Sequence, residues 1–534
     1  MSATAQSLND PWIKAGSLRS LKRKGRIVRR IDGKQIALFD TAHGVLACNN
    51  RCPHEGYPLR EGSLDDRCVL TCNWHNWKFD LTTGGNLYGG DRLRVYPVEL
   101  RGDEVWLNLA DPPVEARQQE IMANLRQAFD DNDYQRMARE LGRLCLLGVN
   151  PVEALVHAIG WSYNRLEFGW THAYGGAADW LTLYHEHAGD EESQLICLLE
   201  AIAHIADEVL REKTYPYSDR ISDYDEDQFV EAIEREDECE AVAQLRGAFA
   251  GGLNFQQIER GLTRAALQHY NDFGHSLIYV TKARRLIEHL GEGVAEPLLL
   301  SLARSMVYAT REDNIPKFRG YRDALNAWRT RSNGVNPHMD MWRGLGIDKA
   351  LELTVDCSAS AHDSLYAAML GVNAANMLAF SLRQQHKVRV PVSDNVGWLD
   401  FTHGITFASA VREQCTRFPQ MWPAGLLQLT CFCGRNAAFT EKRADLDGWH
   451  VHDADAFFAK TIESLLDHNC DEFIVSVHLL KTVLAAREEV WADLPKEVSD
   501  YVLAAVNRFL NSPLKRKQAR RTVYQAMKFV ARDG

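Results

Sequence analysis

Two short segments bring thiols and imidazoles together. Cys52-Pro53-His54 is followed by Cys72-Asn73-Trp74-His75, with residues 55–71 between them. Each segment joins one Cys to one His. Structural zinc uses the same donors, but its pairs usually run C-x2–4-C and H-x3–5-H. A chance grouping inside a β core is the bland alternative; four ligand-type residues in two tight pairs, on loops between strands, argue against it. An iron–sulfur centre that takes two Cys on one iron and two His on the other needs one Cys and one His from each of two facing loops. The order C-x-H, then C-x2-H, supplies them.

Such loops need a rigid frame. Residues 9–110 read as short strands: "GRIVRRI", "KQIALFDT", "HGVLACN", "CVLTC", "WKFDLTTG", "VYPVEL" and "EVWLNL" are rich in Val, Ile, Leu and aromatics. Turn signals such as "DGK", "TTGG" and "GDE" separate them. This spacing predicts a small sandwich or barrel. Asp111-Pro112-Pro113 marks a boundary, and beyond it apolar residues recur at helical intervals in long stretches such as "SQLICLLEAIAHIADEVLRE". No fixed repeat points to a solenoid. The expected fold is multidomain: a small all-β domain over residues 1–111, then a large all-α domain over 112–534, with a subdomain break near 336–360.

The segments "CPHEGYPLREGSL" and "CNWHNWKFDLTTG" resemble the two cluster loops of the Rieske [2Fe–2S] family over residues 9–110. The resemblance implies that Cys52 and Cys72 bind a buried iron while His54 and His75 bind an outer iron facing solvent or a partner. Gly56, Pro58 and Gly62 match the shaping residues of the first loop. Asn76 stands where the family commonly has Gly, and Asn is the next residue able to take a left-handed backbone. The extra loop Cys pair of the high-potential respiratory members is missing, since Tyr57 and Asn76-Trp77 occupy those places. The resemblance is therefore to the ferredoxin and oxygenase branch. Cys48 and Cys68, just outside the loops, read as small buried residues.

The helical part lacks the Asp-His-His signature by which Rieske oxygenases hold a mononuclear iron. "DFTH" gives Asp400 and His403 and then nothing suitable. It is nevertheless rich in His near expected helix starts: His157, His172, His275, His362 and His403. These five are the candidate ligands of a second, non-haem iron, with His275, His362 and His403 as candidate catalytic residues, because imidazole suits iron. Carboxylates could come from Glu167 or Asp400. Tyr366, Met369 and Asn373 share the His362 face. A His on an apolar helix face is also commonly a hydrogen-bonded core residue, and that reading stays open. Glu153 is assigned to a capping box with Asn150 and Pro151. Glu200, His204 and Asp207 are assigned to a solvated polar face, and Cys431-Phe432-Cys433 is a weak metal signal. Over residues 151–420, "LVHAIGWSYNRLEF" and "HSLIYVTKARRLI" are faintly similar to questin-oxidase-like proteins, helical oxygenases that open aromatic rings. Aromatic density from Trp161 to Tyr184 suits an apolar pocket and suits ordinary packing equally.

The 534-residue chain is 46% hydrophobic and 25% charged, with a net charge of −11. Those values describe a globular protein and argue against a nucleic-acid binder. The first residues lack a signal-peptide layout, and no apolar run approaches the roughly 20 residues of a membrane span. A cytoplasmic location, with the twelve cysteines free or bound to metal, is expected. The Gly-rich stretches "TTGGNLYGG", "FAGGLN" and "HLGEGVAE" lack the order of a dinucleotide fingerprint, so no NAD or FAD domain is expected. Electrons would then come from a separate reductase or ferredoxin. The basic tail Lys515, Arg516, Lys517, Arg520 and Arg521 reads either as a solvated helix or as a docking strip for such a partner or a second subunit of a homo-oligomer. Two functions remain. One is an oxygenase-type oxidoreductase acting on a small aromatic or apolar molecule. The other is an electron carrier or redox-responsive binding protein without substrate chemistry of its own.

Overall fold

The computed structural model describes residues 11–328, 335–515 and 517–532. They form two compact units, Met1–Asn150 and Pro151–Gly534. The all-β domain followed by a large helical region is as expected from the sequence.

The first unit begins with three antiparallel sheets. Trp12–Ser17, Glu104–Asn108 and Val98–Arg101 make one, with Glu104–Asn108 central. Arg26–Ile31, Lys34–Thr41, Gly44–Asn49 and Val95–Tyr96 make the second. The "DGK" signal becomes a two-residue turn between Ile31 and Lys34, with Asp32 and Gly33 both at positive φ (49° and 76°). That backbone matches the twist of the flanking strands. The third sheet, Ser63–Leu64, Val69–Thr71, Lys78–Asp80 and Asn86–Tyr88, carries the second Cys-His segment at a hairpin tip. Alternate inward residues of the last two sheets, including Phe39, Leu70 and Phe79, bury Cys48, Cys52, Cys68 and Cys72 in one core. The bland reading of Cys48 and Cys68 agrees with their burial.

Two helices, Val114–Asp130 and Tyr134–Leu147, complete this unit. The chain passes from strand at Asn108 to helix at Val114, and the compact unit runs on to Asn150. Its last helix is fastened by charge. The fully buried Asp91 carboxylate receives Arg139 Nε at 2.8 Å and Arg143 Nη2 at 2.8 Å, with Arg136 Nε at 3.4 Å.

The second unit runs from the helix Val152–Ser162 to the helix Ala519–Val530. Four helices at its centre pack on one another: His172–Glu186, His275–Leu290, Trp398–Arg417 and Phe473–Val490. Each is buried along most of its length. Residues 336–360 hold a 3-10 turn, Met339–Trp342, and a helix, Ile347–Asp356.

Three sequence expectations need correction. Pro151, not Asn150, stands at the N-cap position of the first helix of this unit, and Glu153 lies in its first turn. Glu200 and His204 are buried, not solvated. A neighbouring helix end covers that face: Glu200 accepts from His468 Nε2 at 2.9 Å, and His204 stacks on Phe473 with ring centroids 5.1 Å apart. In the tail, Lys515, Lys517 and Arg520 are exposed, and Arg516 lies outside the described residues. Arg521 is buried and donates to the carbonyls of Gln384 and Lys387 at 2.7 and 2.9 Å, so it is a structural clamp. Among the described residues no helix is long and apolar enough to cross a membrane.

Candidate metal centres

The two Cys-His segments fold as the same six-residue hairpin tip. Arg51 pairs with Pro58 at the neck of one and Thr71 with Lys78 at the neck of the other. Cys52 N–H donates to Tyr57 O at 2.9 Å, and Cys72 N–H donates to Trp77 O at 2.7 Å. Within each tip the fifth residue turns back to the first: Gly56 N–H to Cys52 O at 2.8 Å, and Asn76 N–H to Cys72 O at 2.9 Å. That fifth residue sits in the left-handed region in both, Gly56 at φ 77° and Asn76 at φ 61°. Asn therefore serves where Gly is usual, as its tolerance for this region allows. Buried Asn50 ties down the first loop, its Oδ1 accepting from Arg60 N–H at 2.9 Å.

The tips face each other. His54 Nδ1 and His75 Nδ1 lie 3.2 Å apart. The two Cys are buried, whereas the His54 and His75 side chains are 19% and 40% exposed. Burial pushes the Cys52 thiol up to about 12, with Cys72 beside it. Paired thiols inside and paired imidazole nitrogens outside fit the donor set of a [2Fe–2S] centre with two Cys on one iron and two His on the other. They fit tetrahedral zinc less well, because the spacing separates the donors into an inner and an outer pair.

Aromatic packing fixes the outer pair. His54 stacks on Trp77 at 4.6 Å and His75 stacks on Trp74 at 4.9 Å. Trp77 in turn rests against Gly89, where a Cβ would fall 2.4 Å from Trp77 Cδ2, and Gly89 has φ 129°. Arg139 stands over the Trp77 ring at 5.9 Å. The "YGG" of the sequence thus makes room for the ring that holds His54.

This first unit has the architecture and donor set of an electron-transfer domain. The Rieske [2Fe–2S] domain model matches residues 11–94. The 3-phenylpropionate/cinnamic acid dioxygenase ferredoxin subunit of Shigella boydii serotype 4 (strain Sb227) is 32% identical over 90 residues, 16% of this chain and 85% of that protein. The chain belongs to the Rieske [2Fe–2S] family. The 4beta-methylsterol monooxygenase of Methylococcus capsulatus (strain ATCC 33009 / NCIMB 11132 / Bath) is 37% identical over 103 residues, 17% of this chain; the match spans only 28% of that monooxygenase. Among solved structures, the ferredoxin of carbazole 1,9a-dioxygenase from Nocardioides aromaticivorans IC177 matches at 24% identity and a TM-score of 0.17, covering 18% of this chain and 95% of that one. All these matches concern the β domain.

In the helical unit the structure brings His172, His275 and His403 together and adds His478, which sequence reasoning missed. His172, His403 and His478 each place a ring nitrogen within 4.8 Å of the others. His275 Nε2 lies 3.2 Å from His172 Nε2 and 2.9 Å from His403 Nε2. Each of the four central helices contributes one imidazole. Lys481, one turn beyond His478, donates to His403 Nε2 at 3.1 Å.

Backbone carbonyls set the tautomers. His403 Nδ1 donates to Leu399 O at 2.6 Å, His478 Nδ1 to Ile474 O at 2.6 Å and His275 Nδ1 to Asp272 O at 2.5 Å. A carbonyl can only accept, so the single N–H of each neutral ring sits on Nδ1 and Nε2 carries the lone pair, which in His403 accepts from Lys481. Burial, and then the Lys481 charge, holds His172, His403 and His478 well below the usual imidazole range. Burial likewise pushes His275 down and brings Lys481 to about 7. Neutral lone pairs on His275 and His403, 2.9 Å apart, are mutually repulsive without a cation to share. Their spacing is close to the edge of a coordination polyhedron with bonds of about 2.1 Å. Three or four imidazoles oriented from behind by carbonyls make a donor set that fits iron and other divalent metals.

Glycines and strain admit this packing. Gly274 has φ 87°, and a Cβ there would meet Phe407, one turn beyond His403, at 2.3 Å. Asp272 and Phe273 before it also take positive φ, 44° and 49°. Left-handed non-glycine residues cost about 1–2 kcal/mol each, and they cluster at functional sites.

The other candidates lie elsewhere. His157 is exposed, with Trp161 at 5.7 Å. His362 is half-buried against Trp422 at 5.7 Å. On the His362 helix, Tyr366 donates to Glu489 at 2.7 Å and Asn373 Nδ2 donates to Met369 O at 2.9 Å, while the buried Asn373 Oδ1 has no hydrogen-bond partner among the described residues. Glu167 is exposed near Tyr215, and Asp400 caps its own helix and binds Arg435 at 3.0 Å. Cys431 and Cys433 are buried in the core, where burial pushes both thiols up. The missed signal is in "VSVHLLKTVLAA": a helix apolar all round leaves no wet face for a His and a Lys three residues apart.

Proposed function

We propose that this protein is an oxygenase-type Rieske oxidoreductase. Cys52, His54, Cys72 and His75 hold a [2Fe–2S] cluster, and His172, His275, His403 and His478 hold a non-haem iron in the helical unit. A cluster held there would supply single electrons, and a metal held by the four imidazoles would use them for oxidative chemistry. A separate reductase or ferredoxin donates them, approaching the exposed His54 and His75 face. The observation that carries the reading is the convergence of four neutral imidazoles from four helices in a chain that already carries a one-electron centre.

A cleft of about 150 Å³ lies beside this site, lined by Phe168, Trp170, Asp272, Ser276, Tyr279 and Tyr308. Tyr279 is 5.6 Å from the His275 ring and 6.3 Å from the His172 ring. Cavities of this volume hold one benzene ring. The substrate is accordingly a small, single-ring or apolar molecule. Tyr279 and Trp170 position it by their faces, while the surrounding helices keep water from the imidazoles.

Metal analysis tests the reading. The cluster accounts for two irons per chain, and a reproducible third metal is expected. Replacing His403 with Ala should remove that third metal and leave the cluster spectrum intact. A stoichiometry fixed at two would instead leave an electron carrier. Anaerobic NADPH alone should not bleach the cluster at a useful rate; bleaching without added reductase would reveal a nucleotide site on this chain.

A further inference from the structure

Lys481 is nearly fully buried, 5% exposed, in the interior of an apolar helix. Its one hydrogen bond among the described residues is to His403 Nε2, the lone pair that a metal would take. No carboxylate lies within ion-pair distance of it among the described residues. Asp179, whose charge reaches it, is bound to Lys282 at 2.5 Å. Metal capture by His403 would therefore leave the Lys481 amine as a buried donor with no acceptor, next to the metal. A buried donor without a partner is costly whether the amine is charged or neutral. The ligand set adds to this demand. Neutral imidazoles cancel none of a divalent ion's charge, and Asp272 approaches His275 on the outer nitrogen, Nδ1, at 3.6 Å.

We infer that the histidine site takes its substrate as an oxygen anion, the ionised hydroxyl of a phenol or enol or a carboxylate, with Lys481 donating to that oxygen. This inference rests on the metal site proposed above. One anion offsets the metal's charge and satisfies the amine, which no carboxylate hydrogen-bonds among the described residues. Lys481 is thus a specificity-determining residue, selecting molecules that present an ionised oxygen to the histidine site.

Calorimetric titration of the purified full-length protein, with its metal content measured on the same sample, tests this. The probes are 4-nitrophenol, 4-nitrobenzoate and 4-nitroanisole at a pH where the first two are ionised. The phenolate or the carboxylate should bind at least tenfold more tightly than the neutral ether, and which of the two wins identifies the source of the oxygen. Lys481→Met should abolish that preference while the cluster spectrum and the third metal persist. Equal binding of all three probes by metal-replete wild type would overturn the inference and leave the metal site standing; that comparison needs no variant to fold. An anion preference unchanged in a metal-replete Lys481→Met protein would also overturn it. A third metal missing from the wild type would refute the metal site itself.

Discussion

The two centres are built on opposite plans. The first hangs from two hairpin tips, mixes thiols with imidazoles, and grades from buried Cys to half-open His. The second is walled in by four helices, uses imidazole alone, and backs three of its rings with carbonyls. An exposed edge lets a partner approach, which suits a centre that only trades electrons. A buried site would suit one that holds a molecule while bonds change, the role proposed for the helical unit. On that proposal, position within the fold, more than donor type, would divide the labour.

The largest test of this contrast is Cys72→Ala. Removing one of two buried thiolates should abolish the visible absorption and the low-g paramagnetic signal of the reduced cluster, leaving any helical-unit metal in place. Retention of the signal in that variant would break the assignment. The counterpart is His478→Ala, which should lose the third metal at least tenfold in affinity with an unchanged cluster spectrum. Simultaneous loss of both metals would show that the two centres are not independent.

A smaller effect is expected at Gly89. Ala there places a methyl 2.4 Å from Trp77 and strains a φ of 129°. Overpacking of this kind costs about 1–3 kcal/mol, and Trp77 must shift its stack on His54. The reduction potential of Gly89→Ala, measured by redox titration, should move while the protein stays folded; an unchanged potential would mean that the stack does not tune the centre.

The smallest test uses a different buried His of the helical unit. His269 Nδ1 meets Asp313 at 2.9 Å and Nε2 meets Glu234 at 2.8 Å. Burial pulls its pKa down, but the two carboxylates outweigh it and raise it to about 9. A raised pKa means that the stabilisation is fully present below the unfolded value of about 6.5 and is lost as pH rises through about 9. It is worth on the order of 2 kcal/mol. Denaturant melts at pH 6 and 9.5 should show that loss, and His269→Asn should flatten it. A slope equal in both proteins would remove His269 from the account.

The cluster loops were legible because their donors are local: each Cys-His pair lies within four residues, and the turn residues Gly56 and Asn76 stand beside them. The helical site was legible only in part. His172 and His275 each open a helix, and His403 lies in the second turn of another; these positions drew attention in the sequence. His478 lies inside an all-apolar helix, and its neighbours in space are some 75, 200 and 300 positions away, roughly counted from the residue numbers, a separation that periodicity cannot bridge. Glu200 and His204 were misplaced for a related reason. A polar stripe looks wet until another chain segment, here His468 and Phe473, is known to cover it.

The Asp91 clasp bears on where the gene can be cut. A fragment ending at 111, where the strands stop, would discard Arg136, Arg139 and Arg143, the three countercharges of Asp91. Removing the partners of a buried charge typically costs about 3–5 kcal/mol, a large share of a small domain's stability. A fragment carried on to Asn150 keeps all three guanidiniums. The portable piece of this protein is therefore defined by an ionic latch, forty residues past the last strand by rough count.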